Sequence, residues 1–96
     1  MNDPIERRAR EALDAIGLEP RQGAETFHRA AVDALTAAGF HVTREVKVRL
    51  KGRPESRVDI VLDNHFAIEL DRRTPRLKSL LKITTFGQGF VYCRDP

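Results

Sequence analysis

The feature that most constrains this chain is a pair of short runs, Arg57 to Leu62 and Phe66 to Asp71, separated by Asp63-Asn64-His65. If those three residues form the turn of a hairpin, Leu62 faces Phe66, Ile60 faces Ile68 and Val58 faces Leu70. All six are apolar and share one face. The opposite face then carries Val61 with Ala67, Asp59 with Glu69, and Arg57 with Asp71. A two-residue turn would leave Asp59 and Glu69 as diagonal neighbours, still close. Two carboxylates side by side on a strand pair repel each other unless a cation or a proton intervenes.

The rest of the chain reads around that hairpin. Asp3 caps a first helix, with Pro4 in its first turn and Glu6 completing a capping box; Ile5, Ala9, Ala12, Leu13 and Ile16 recur at helical spacing up to Gly17. Pro20 and Gly23 mark a connection. A second helix runs from about Ala24 to Ala38 on a stripe of Phe27, Ala31, Ala34, Leu35 and Ala38, and Gly39 ends it. The period then falls to two: Val42, Val46, Val48 and Leu50 alternate with Glu45, Lys47, Arg49 and Lys51 as in a strand with one wet face. After the hairpin, Thr74-Pro75 supplies an N-cap and a first-turn proline. Leu77, Leu80, Leu81 and Thr84 line one side of a third helix, Gly87 and Gly89 close it, and Phe90 to Cys93 is a short last strand. The order α-α-β-β-β-α-β predicts an α+β sandwich with a mixed four-stranded sheet flanked by helices. It reads as one domain over 1–96, with residues 1–17 an accessory helix.

Charge is unevenly placed. Residues 1–40 hold five Lys/Arg and seven Asp/Glu (−2) and residues 41–96 hold twelve and seven (+5), which sum to the net +3. The excess lies in Arg44, Lys47, Arg49, Lys51, Arg53 and Arg57, then in Arg72, Arg73, Arg76, Lys78 and Lys82, a distribution suited to a polyphosphate backbone. The single Cys93 excludes an internal disulfide, and no cysteine–histidine cluster suggests zinc. A charged N-terminus and the lack of a long apolar run point to a cytoplasmic protein with no membrane partner. His28, His41 and His65 are scattered and read as ordinary surface or structural residues.

Val58-Asp59, a nine-residue gap and Glu69-Leu70-Asp71 resemble the two-part signature of the PD-(D/E)XK nuclease superfamily, and the element order from the second helix onward, residues 23–93, is similar to that superfamily's core. The resemblance implies a Mg²⁺- or Mn²⁺-dependent endonuclease acting on DNA, with RNA left open. It assigns Asp59 and Glu69 to the metal, the Leu70 carbonyl as a further ligand, and Glu25 as the accessory acid on the preceding helix. Val58 stands in place of the motif's proline, and Asp71 in place of its lysine. That lysine stabilises developing negative charge, which a carboxylate cannot do. Lys78, and after it Lys82, are the candidates to supply the charge from the following helix; Asp71 either supports the metal or pairs with Arg57. Lys47, Arg49, Arg72, Arg73 and Arg76 are the expected nucleic-acid contacts. So small a domain implies a homodimer or work within a larger assembly, and its compactness is similar to that of small phage or mobile-element proteins. The alternative is a catalytically silent protein of the same fold that binds nucleic acid or a protein partner.

Overall fold

A computed structural model describes residues 4–17 and 23–95; the expected cap at Asp3 and the connection at Pro20 lie outside the described residues. The element order is α1 (Pro4–Asp14), α2 (Ala24–Ala37), β1 (Val42–Arg49), β2 (Glu55–Leu62), β3 (Phe66–Asp71), α3 (Leu77–Phe86) and β4 (Gly89–Cys93), the predicted α+β order. No helix among the described residues is long and apolar enough to cross a membrane.

The chain divides into two compact units, Met1–Phe40 and His41–Pro96. In the first, the apolar stripes of the two helices supply the buried side chains Ala9, Leu13, Phe27, Ala31 and Leu35. Arg8 secures the end of α2: its Nη2 donates to the Ala38 carbonyl at 2.8 Å, and its guanidinium lies 4.4 Å from the centre of the Phe40 ring, a stacking that suits a planar cation. Gly39, at φ 98°, takes the left-handed conformation that ends the helix.

The second unit is a four-stranded sheet whose spatial order, β1-β2-β3-β4, repeats the order along the chain. β1 to β3 form an antiparallel meander, and β4 lies parallel to β3 after the α3 crossover. The hairpin turn is the predicted three-residue one, since Leu62 pairs with Phe66, Val61 with Ala67 and Ile60 with Ile68. Asp63 and Asn64 both have φ near the left-handed region (50° and 65°), which suits their residue types. Asp63 Oδ1 also accepts the His41 amide at 2.9 Å, tying the turn to the start of β1.

Two departures from simple periodicity matter for the site. Val58 packs with Val61 and Ala67, although alternation along the strand places it with Ile60 and Leu62. Opposite this stretch Glu45, in line with Asp59 in the β1–β2 register, adopts φ 52°, a left-handed residue that turns the pleat over locally. The third helix is also rotated from its expected pose. Its buried residues are Ser79 and Lys82, while Leu77 and Leu80 are 66% and 46% exposed; Ile83 and Phe86 complete its inner side against Val58, Val61 and Ala67. The helix begins at Leu77 with Arg76 as N-cap, two residues beyond the predicted Thr74-Pro75 start.

β4 enters the sheet at a point with no room for a side chain. Gly89 has φ 150°, and a Cβ built there lies 2.0 Å from the Ala67 carbonyl oxygen. Beside it, the Ala67 amide donates to the Gln88 carbonyl at 2.8 Å.

A carboxylate fork between two strands

Ladder pairing of β2 with β3 stops at Ile60 and Ile68, although β2 continues along β1 to Glu55 and β3 continues along β4 to Asp71. The two central strands therefore part at Asp59 and Glu69. Side chains take over where the backbone ladder ends. Glu69 Oε2 accepts the Asp59 amide at 2.7 Å, and Asp59 Oδ2 accepts the Leu70 amide at 2.8 Å. Each carboxylate occupies the acceptor role that a cross-strand carbonyl fills in a regular ladder, and hydrogen bonds to an ionised acceptor are the stronger kind.

Glu69 is fully buried. Burial pushes its carboxyl above the ordinary glutamate value of 4.5, because desolvation disfavours the charged form; the Asp59 amide and Lys82 oppose that shift, and the nearby Asp59 charge adds to it. Lys82 Nζ lies 2.9 Å from Glu69 Oε1, with its side chain 11% exposed. Asp59 is half-buried. Its Oδ1 accepts no hydrogen bond from the described residues, and none of their buried side-chain oxygens lacks a partner, so Oδ1 opens to solvent.

Asp71 serves elsewhere. Its Oδ2 accepts the Arg76 amide at 2.8 Å, and its Oδ1 accepts both Arg76 Nε and Ser79 Oγ at 3.0 Å. The expected Asp71–Arg57 pair is absent: Arg57 lies 3.8 Å from Glu45 instead. Burial and the Asp71 charge together hold the Cys93 thiol above its usual range, which favours the protonated form.

The remaining predicted residues are distributed as follows. Lys78, ranked first to replace the missing lysine, is exposed; Lys82, ranked second, is the one that reaches an acid, a reversal of the expected order. Glu25 belongs to the helical unit, exposed on α2 with Arg29 at 3.8 Å. Lys47 and Arg49 are exposed on the edge strand β1, Lys47 with Glu55 at 3.8 Å. Arg72, Arg73 and Arg76 are exposed after β3, Arg72 bonded to Asp95 at 3.1 Å.

The donor set suits a hard cation only in part. Carboxylate oxygens are the right chemistry for Mg²⁺, which commonly takes one or two of them and keeps several waters. Asp59 Oδ1 is open, and Glu69 retains lone pairs beyond its two hydrogen bonds. Among the described residues, however, no three His, Cys, Asp or Glu side chains converge; of the expected ligands Glu25, Asp59, Glu69 and Leu70, the second unit brings together Asp59, Glu69 and the Leu70 backbone. Ser79 is not among the residues that the sequence reading singles out; its spacing of three from Lys82 on α3, set against two acids two apart on β3, is the signal that joins it to the site.

Comparison with family models, with curated proteins and with solved structures finds no match to this chain.

Proposed function

We propose that the fork carries a metal-dependent phosphodiesterase site of the PD-(D/E)XK type, with Asp59 and Glu69 as its acids and Lys82 as its lysine, acting on DNA. The observation that carries this reading is the 2.9 Å contact of buried Lys82 with Glu69 beside the open oxygen of Asp59. It brings together acid, acid and lysine, the three residue types of the motif, although the motif's own lysine position holds Asp71. Asp59 and Glu69 would hold Mg²⁺ or Mn²⁺ with the Leu70 carbonyl; when bound, such an ion activates water and polarises the phosphate. Lys82 contributes a fixed positive charge where negative charge develops, in a site screened from solvent on the Glu69 side. Arg73, with Arg72, Arg76, Lys47 and Arg49, would attract the phosphate backbone.

A second reading is favoured by a different observation. Both Glu69 oxygens are already bonded within the chain and the side chain is wholly buried. That is what a silent, nucleic-acid- or protein-binding relative of the same fold would show, the acids serving only to bridge the strands.

A cleavage screen over duplex, single-stranded and branched substrates with Mg²⁺ and Mn²⁺ separates the two. Wild type should cleave, Asp59→Asn should not, and Lys82→Met should lose about 10²- to 10³-fold in rate, while Lys78→Ala stays near wild type. Binding without cleavage by wild type on every substrate supports the silent reading.

A further inference from the structure

β3 meets α3 through two polar rungs. Glu69 and Asp71 are two apart and so project from the same side of the strand; Lys82 and Ser79 are three apart and share one face of the helix. The first rung is Lys82 Nζ to Glu69 Oε1 at 2.9 Å. The second is Asp71 with Ser79 Oγ, Arg76 Nε and the Arg76 amide. The N-cap residue of α3, Arg76, makes no side-chain cap bond; its own amide donates instead to Asp71 on β3, which ties the start of the helix to the strand.

This second rung accounts for a pose that apolar burial alone does not favour. With Leu77 and Leu80 outward and Ser79 and Lys82 inward beside Ile83 and Phe86, the first half of α3 turns polar side chains to the sheet and leaves its leucines outside. Rotating it to bury the leucines would satisfy the hydrophobic effect, at the cost of stripping Asp71, buried at 4% exposure, of its partners. A buried carboxylate left unbonded is the larger penalty. Lysine itself is a poor register device, being a point charge on a long flexible stem.

We infer that Asp71 is a positioning residue: its grip on Arg76 and Ser79 fixes the rotation of α3 at which Lys82, and not Lys78, reaches Glu69. The place where the motif's lysine is missing is thus occupied by the residue that delivers its replacement. The catalytic significance of that delivery rests on the enzymatic reading above; the positioning itself does not.

The test follows the Lys82 ammonium directly by ¹H–¹⁵N NMR in metal-free buffer. In wild type its protons should exchange slowly with water and give a resolved signal. Asp71→Ala should speed that exchange about tenfold or more, the factor that loss of one charge-assisted hydrogen bond's worth of ordering represents. Asp71→Asn, which keeps one acceptor, should fall between. Asp95→Ala removes the exposed Arg72–Asp95 pair near the same strand end and should leave the signal unchanged, as should Ile60→Val, which loosens the core without touching either rung. Wild-type exchange in folded Asp71→Ala overturns the inference, as does a wild-type ammonium that exchanges freely. Should Asp71→Ala fail to fold, Asp71→Asn and Ser79→Ala decide, and wild-type exchange in both overturns it. If cleavage is found, Asp71→Asn should lower kcat and leave KM in place. If none is found, the enzymatic reading fails while the ammonium measurement still stands on its own.

Discussion

The two halves of the β2–β3 hairpin are held by different physics. Near the turn, Ile60, Leu62, Phe66 and Ile68 are each at most 2% exposed, and the backbone ladder between them is regular. Beyond Ile60 the ladder gives way to Asp59, Glu69 and Lys82, which bond side chain to backbone and side chain to side chain. Apolar contacts are non-directional and tolerate change in proportion to area lost. Buried polar groups are satisfied as a set, and removing one member strands the others. The same hairpin thus combines a forgiving half with an unforgiving one.

The largest break in this comparison is Glu69→Ala. It leaves the Lys82 ammonium buried without its partner and takes the acceptor from the Asp59 amide, and it should cost about 3–5 kcal/mol in urea unfolding. A double change, Glu69→Gln with Lys82→Met, keeps an acceptor for that amide and removes both charges, and it should recover most of the loss. A Glu69→Ala variant within 1 kcal/mol of wild type would show that the fork is not a cooperative polar unit.

The pH response sharpens the contrast. Because the Glu69 carboxyl sits above its ordinary 4.5 in the fold, the native state holds its proton more tightly than the unfolded chain does. Its contribution to stability is therefore full below 4.5 and is lost as pH rises through the raised value, opposite in sign to the usual salt-bridged acid. The stability of wild type minus that of Glu69→Gln should fall across that window, acids that do not interact with Glu69 cancelling in the difference. A flat difference would mean that Lys82 and the Asp59 amide fully offset burial.

The smallest effect belongs to the turn half. Ile60→Val should cost roughly 0.5–1.5 kcal/mol and the same amount at every pH from 4 to 8, since no titrating group touches the change. A pH-dependent cost there would link the two halves more tightly than their bonding suggests.

Much of this organisation was legible in the residues. The turn of Asp63-Asn64-His65, the register from Leu62 and Phe66, and the β3 boundaries follow from strict alternation around turn-forming residues. The closeness of Asp59 and Glu69 follows from the same register. What alternation does not report is where a ladder ends, because the fork depends on carboxylates that replace carbonyls as acceptors. Nor does helical periodicity report which side of α3 is buried: Leu77 and Leu80 suggest one face, and the acids at 69 and 71 select the other. Val58 escaped for a related reason, since the left-handed Glu45 lies on a neighbouring strand. In each case a cross-strand or strand-to-helix bond outweighs a local pattern.

The strand order of the sheet has a kinetic consequence. β1, β2 and β3 are joined by short turns and can pair as soon as each is made, whereas β4 reaches β3 only after α3 has formed, from Ala67 to its partner Gly89 twenty-two residues later (89 − 67). Loops of that length close more slowly than hairpin turns. Until the crossover docks, Glu69 and Asp71 lie on an edge strand in water. The dehydration of both acids is thus expected in the last step of assembly, and that step is expected to reverse first. Native-state hydrogen exchange should find the β4 amides opening before those of the Leu62–Phe66 turn, and the reverse order would place the slow step elsewhere.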